Sequence, residues 1–168
     1  MAPSGTLTFV TALGRLRLDW TEAGVRGLRF TDALDPHETA AAPAWVLGAV
    51  RRLMAHLAGT PQALGGIPVD LAGLTPFRRR VAEVLRATRP GQVLSYGDVA
   101  LLAGRPGAAR AVGQAVKANP TLLLVPCHRV VGARGPGGWS AFGSPGVKAR
   151  LLALERPHTG ADDAPPAR

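Results

Sequence analysis

Hydrophobic and polar positions alternate from the start of the chain. Leu7-Thr8-Phe9-Val10 and Leu16-Arg17-Leu18-Asp19-Trp20 flank Gly14 as a turn residue, and Val25-Arg26-Gly27-Leu28-Arg29-Phe30 continues the pattern after Gly24. A period of two marks half-buried strands, so this segment predicts a three-stranded meander. The period then changes: Trp45, Val46, Ala49, Val50, Leu53 and Leu57 recur at helical spacing, with Arg51, Arg52 and His56 for the other face and Gly59 as a stop. One amphipathic helix over Ala44 to Leu57 is predicted to pack on the sheet. The Ala/Pro/Asp stretch Asp32 to Pro43 reads as a loop.

Residues 60–74 are rich in Gly, Pro and Leu and carry one charge, Asp70, which reads as a partly packed linker. Thr75-Pro76 then supplies an N-cap followed by proline at the first helical position, with Phe77, Val81, Val84 and Leu85 as the apolar stripe. Of Arg78, Arg79 and Arg80 at least some must face water. Ser95 and Asp98 have capping-box spacing and open a short helix ending near Gly104, and a second helix of small residues runs from Ala108 to Ala118. Two short helices joined by a glycine-containing turn form a helix-turn-helix pattern, which helical hairpins of other kinds share. Asn119-Pro120 stops the second helix, and Leu122-Leu123-Leu124-Val125 is expected as a buried apolar strand. The organisation expected is therefore α/β: an N-terminal unit and linker over residues 1–70, a mainly helical unit over 71–156, and a flexible tail over 157–168.

Composition narrows the class. Of 168 residues, 46% are apolar and 18% charged, enough for a packed core. Apolar runs are broken well before the length of a membrane span, and the N-terminus has neither a basic region nor a long apolar stretch, so a cytoplasmic protein is expected. The net charge of +9 is unevenly placed: residues 1–70 hold six Arg and six acids, whereas residues 75–156 hold thirteen Lys or Arg against Glu83, Asp98 and Glu155, a net of +10. A solvated, arginine-rich surface is the plain reading. Concentration in one half favours a polyanionic partner.

Cys127 is the single cysteine, which rules out an internal disulfide and a cysteine-based metal cluster. A lone buried cysteine is usually an inert small hydrophobe. Here it sits in Pro126-Cys127-His128-Arg129-Val130, where an adjacent His and Arg can both favour thiolate, the nucleophilic form. Neighbouring side chains often diverge, so His128 can act through a water. Glu155 is the only acid between Asp98 and the tail. It is either a surface helix residue paired with an Arg or the carboxylate that orients a catalytic imidazole.

Pro-Cys-His-Arg-Val at 126–130 resembles the active-site motif of the O6-alkylguanine-DNA alkyltransferases. Thr75-Pro76-Phe77, Ser95-Tyr96-Gly97, Gly104-Arg105-Pro106, Ala109-Arg110-Ala111-Val112-Gly113, Asn119-Pro120 and Lys148 with Leu151-Leu152-Ala153-Leu154-Glu155 follow in the family's order and spacing. The resemblance covers about residues 5–156 and is strongest from 75 onward. It implies a ribonuclease-H-like N-terminal sheet with a helix, then a helical unit carrying the helix-turn-helix.

It also implies single-turnover repair: an alkyl group passes from O6-alkylguanine in double-stranded DNA to Cys127, which is consumed. No cofactor or metal is implied, and His37, His56, His128 and His158 show no paired ligand spacing. By resemblance, His128 is the water-mediated base, Glu155 orients it, and Asn119 ties the recognition helix to the active-site loop. Tyr96 assists nucleotide rotation and can donate a proton. Arg110 replaces the flipped base, while Ala109, Ala111 and Gly113 let the helix approach a narrow minor groove. Arg129 is expected to contact DNA.

Pro126, Val130, Trp139, Ser140 and Phe142 are expected to line the alkyl pocket. The family usually has a Tyr near a Gly-Gly pair there; this chain offers Trp139 and Phe142, neither with a hydroxyl. Ala82 stands where a Trp is common. O4-alkylthymine is a second candidate substrate, and a monomer is expected, with cooperative binding along DNA left open. Two other readings are a non-catalytic alkyltransferase-like DNA-binding protein and a cysteine hydrolase, the latter lacking an evident oxyanion-hole loop.

Overall fold

The computed structural model describes residues 4–33, 41–132 and 146–156. The alternating segments form three antiparallel strands in sequence order, β1 (Gly5–Thr11), β2 (Gly14–Thr21) and β3 (Gly24–Phe30). Register places Leu7, Leu18 and Leu28 side by side, all on the buried face. Both hairpins use the same local chemistry. Thr11 and Thr21 each accept the backbone N–H two residues on, while Thr11 donates to the Gly14 carbonyl at 2.7 Å and Thr21 to Asp70 Oδ2 at 2.8 Å. Gly24 has φ +140°, and a β-carbon there would meet the Pro68 carbonyl carbon at 2.6 Å.

That close approach has a purpose. The edge of β3 is extended by two later segments: Val25 donates to Pro68 and receives from Asp70, while Leu28 donates to Pro120 at 2.8 Å and its carbonyl receives from Leu122 at 3.0 Å. The stretch just before the cysteine is therefore docked by backbone hydrogen bonds onto the N-terminal sheet.

Helix α1 (Ala44–Leu57) covers the sheet with Val46, Ala49, Leu53 and Leu57. His56, expected on its outer face, is instead buried, because it sits within the stripe defined by Leu53 and Leu57 and finds polar partners inside. The linker packs Leu64 and Ile67 into the core, and Arg86 fastens it by donating to the carbonyls of Gly65, Ile67 and Leu124. Helix α2 (Pro76–Arg86) starts at the Thr75 cap, with Arg78, Arg79 and Arg80 all exposed and Val81, Ala82 and Leu85 buried.

A two-residue strand β4 (Leu94–Ser95) leads into α3 (Tyr96–Leu102) through a complete Ser95–Asp98 capping box, followed by α4 (Ala109–Lys117). The helix-turn-helix pattern is thus realised, with Gly104 at φ +76° in the turn. Leu122–Val125 is buried as expected but is a turn, not a strand: Leu123 has φ +69°, and Val125 donates to the Thr121 carbonyl at 2.9 Å. A left-handed backbone at a branched side chain costs roughly 1 kcal/mol or more and persists only when its surroundings impose it. Here they do, since Leu123 is 2% exposed and the turn is pinned at the β3 edge.

Strand β5 (Val130–Val131) pairs in parallel with β4, and α5 (Val147–Leu154) closes the described fold with Glu155 as its C-cap. Buried side chains from both halves form one continuous core.

Candidate active site

Cys127, His128 and Arg129 form a single 3-10 turn between the buried Leu122–Val125 turn and β5. One tight turn points all three side chains inward. Cys127 is fully buried and His128 is 1% exposed. The sulfur is held by Asn119, whose Nδ2 donates to Sγ at 3.0 Å and to the Val125 carbonyl at 2.8 Å. The other end of the carboxamide accepts from the Thr121 backbone and hydroxyl, which fixes its orientation. Asn119 follows α4 directly, so it links the end of that helix to the sulfur.

Burial pushes the Cys127 thiol up to about 12, outweighing the hydrogen bond from Asn119 and the charge of Lys148. The resting group is a thiol. Adjacent His and Arg do not make it a thiolate on their own, because both turn toward Glu155. Lys148, buried in α5, donates to the Val130 carbonyl at 2.6 Å.

Glu155 is completely enclosed, so the surface reading of this residue does not hold. Oε1 accepts from His128 Nε2 at 2.8 Å and from Arg129 Nη2 at 2.8 Å; Oε2 accepts from Arg129 Nε at 2.8 Å. Burial would raise its carboxyl, yet the hydrogen bonds from His128 and Arg129, with the nearby His56 ring, prevail and hold it far below the usual carboxylate range. An ionised carboxylate cannot donate, so His128 must carry its proton on Nε2. Nδ1 is then a bare lone pair, buried and without a hydrogen-bond partner among the described residues. Desolvation lowers the His128 pKa despite Glu155, keeping the ring a neutral acceptor.

Arg129 corrects the sequence reading. Expected to contact DNA, it is 5% exposed, chelates Glu155 and donates to the Thr88 carbonyl and hydroxyl at 2.7 and 2.9 Å. A buried guanidinium is tolerable only with this degree of pairing. His56, unassigned from sequence, stands 3.4 Å from Glu155 Oε1. Burial of a polar side chain within an apolar helical stripe was the one signal for it.

Tyr96 is half-buried at the start of α3, its ring against α4: a β-carbon on Gly113 would meet its Cε1 at 3.9 Å. Its hydroxyl pKa is raised by burial and by proximity to Cys127. Arg110 is exposed in the first turn of α4, beside partly buried Ala109 and Ala111. Pro126 and Val130 flank the turn and are buried. Trp139, Ser140 and Phe142 lie outside the described residues.

The family model described as 6-O-methylguanine DNA methyltransferase, DNA binding domain, matches residues 76–157. A methylated-DNA–protein-cysteine methyltransferase of Mycolicibacterium paratuberculosis is 40% identical over 92% of this chain and 93% of its own. The chain belongs to the methylated-DNA–protein-cysteine methyltransferase family. The human methyltransferase of that name is 37% identical over 88% of this chain and 78% of its own. Among solved structures, a variant of the Mycobacterium tuberculosis O6-methylguanine methyltransferase superposes with a TM-score of 0.79 at 36% identity, covering 95% of this chain and 97% of the other. The M. tuberculosis protein in complex with DNA gives 0.75 at 38% identity, covering 89% and 91%. The α/β fold expected of this methyltransferase family is the one observed.

Proposed function

We propose that this methyltransferase repairs DNA by taking the alkyl group of O6-alkylguanine onto Cys127. The observation that carries the reading is the arrangement around the sulfur: a nucleophile fixed by Asn119, followed in the same turn by an imidazole whose Nε2 is committed to Glu155 and whose Nδ1 has no hydrogen-bond partner among the described residues. A thiol held protonated at rest must lose its proton when substrate is bound. His128 Nδ1 is suited to receive it, through a water. The Sγ–C bond forms as the C–O6 bond breaks, the electron pair stays with guanine, and a proton reaches the base. Tyr96, half-buried against α4, carries a hydroxyl proton and is suited to donate it. The proton taken up by His128 is released to solvent and Tyr96 regains one from it, so the net change is thiol and O6-alkylguanine to thioether and guanine, with nothing else consumed.

Arg110, exposed beside small residues on α4, is suited to enter the stack vacated by a flipped nucleotide. A hydrolase reading leaves the helix-turn-helix of the basic half without a role. Turnover separates the readings: guanine restored should never exceed one equivalent of protein, and product exceeding protein would overturn the proposal. Arg110→Ala should slow repair of duplex DNA at least tenfold, while reaction with free O6-benzylguanine changes less than about threefold. Equal loss on both substrates would contradict the base-flipping role.

A further inference from the structure

The reaction proposed above uses one imidazole on Glu155, but the structure holds a second on the same oxygen. His56, in the last turn of α1, is 1% exposed, and its Nδ1 accepts the Gln62 backbone N–H at 3.0 Å. A nitrogen accepting that bond bears no proton, so the neutral ring carries its proton on Nε2. Nε2 makes no hydrogen bond among the described residues but lies 3.4 Å from Glu155 Oε1, the oxygen that already accepts from His128 Nε2 and Arg129 Nη2 at 2.8 Å each. Burying an imidazole costs more than burying an apolar side chain of equal size, so its polar contacts have to account for it.

We propose that His56 is a positioning residue for alkyl transfer: by keeping Nε2–H 3.4 Å from Glu155 Oε1, it draws on the oxygen that binds His128 and limits how tightly Glu155 holds protonated His128. The inference rests on the alkyl-transfer reading. When the thiol proton reaches Nδ1, His128 becomes a cation hydrogen-bonded to Oε1. An oxygen already engaged by other donors orients that cation without trapping it, and the ring returns to its neutral form. Among the described residues, the charged and titratable groups facing this carboxylate are His56 from α1 and His128 and Arg129 from the 3-10 turn; Lys148 of α5 faces Cys127 instead. The Arg129 guanidinium also disfavours a proton on His128. The N-terminal half thereby contributes a side chain to chemistry housed in the other half.

The test is single-turnover methyl transfer from duplex O6-methylguanine by the full chain, with His56→Phe and His56→Gln, across about pH 5 to 9. His56→Phe should lose roughly three- to tenfold in rate near pH 6, where His128 is then more protonated, and less than about twofold on the alkaline plateau. His56→Gln, which keeps a donor for Oε1, should follow the wild-type profile. Equal losses at every pH, or an unmoved acid limb in both variants, would overturn the proposal. If His56→Phe does not fold, the nitrogen-15 spectrum of the wild type decides: a bare Nδ1 and protonated Nε2 at His56 are expected, and the opposite tautomer overturns the proposal. A wild type that transfers no methyl group sinks the alkyl-transfer reading and this inference together, whereas an active wild type with unmoved variants sinks only the inference.

Discussion

At the residue scale, the site is a set of buried polar groups, each with most of its bonding capacity used. Asn119 spends both ends of its carboxamide on the chain around Cys127, so Asn119→Ala leaves the buried sulfur without its donor and Thr121 without its acceptor, while the Val125 carbonyl keeps the Cys127 N–H. A loss of about 2–3 kcal/mol in urea denaturation is expected, with slower methyl transfer, because unsatisfied buried groups carry their full desolvation cost. Glu155 and His128 both bind protons less readily in the fold than in the unfolded chain. Their contributions are therefore present at neutral pH and lost on acidification, the His128 part below about pH 6.5 and the Glu155 part below about pH 4.3. Unfolding midpoints should fall with acid, and Glu155→Gln should be less stable at neutral pH yet show a shallower fall; an unchanged slope would contradict the buried network. Cys127, His128, Glu155 and Asn119 were legible from motif order. Arg129 was not, because adjacency along the chain does not say which way a side chain turns, and here a 3-10 turn sends it to Glu155. His56 was missed for a related reason: a polar side chain near Arg51 and Arg52 reads as outer-face, yet its place between Leu53 and Leu57 puts it within the buried stripe.

At the element scale, the periodicities of two and 3.6 were enough to place β1, β2, β3 and α1, and cap chemistry placed the starts of α2 and α3. The Leu122–Val125 segment was misread because four consecutive apolar residues fit a buried strand and a buried turn equally well. Long-range bonds decide it: Leu28 of β3 captures Pro120 and Leu122, forcing Leu123 into a left-handed backbone. The same edge makes Gly24 a test of how the halves are joined. Gly24→Ala combines a positive φ with a β-carbon 2.6 Å from the Pro68 carbonyl carbon, and backbone cannot move aside cheaply. A loss on the order of 2–4 kcal/mol is expected, read as a lower thermal midpoint. A change under about 0.5 kcal/mol would mean that β3 does not carry the 68–70 segment as described.

At the scale of the whole molecule, a neutral first half and a second half of net +10 now have distinct parts. The basic half carries the helix-turn-helix and the thiol, and the neutral half carries the sheet edge on which the segment before the thiol is anchored. Phosphate contacts release counterions, so binding to duplex DNA should weaken steeply with added salt. Whether Cys127 accepts the alkyl group is the central question. The direct measurement is the peptide mass of the full chain after incubation with duplex DNA containing O6-methylguanine. The account predicts a gain of one methylene on the peptide containing Cys127, matched mole for mole by restored guanine. Unmodified Cys127 beside tightly bound, still methylated DNA would contradict it.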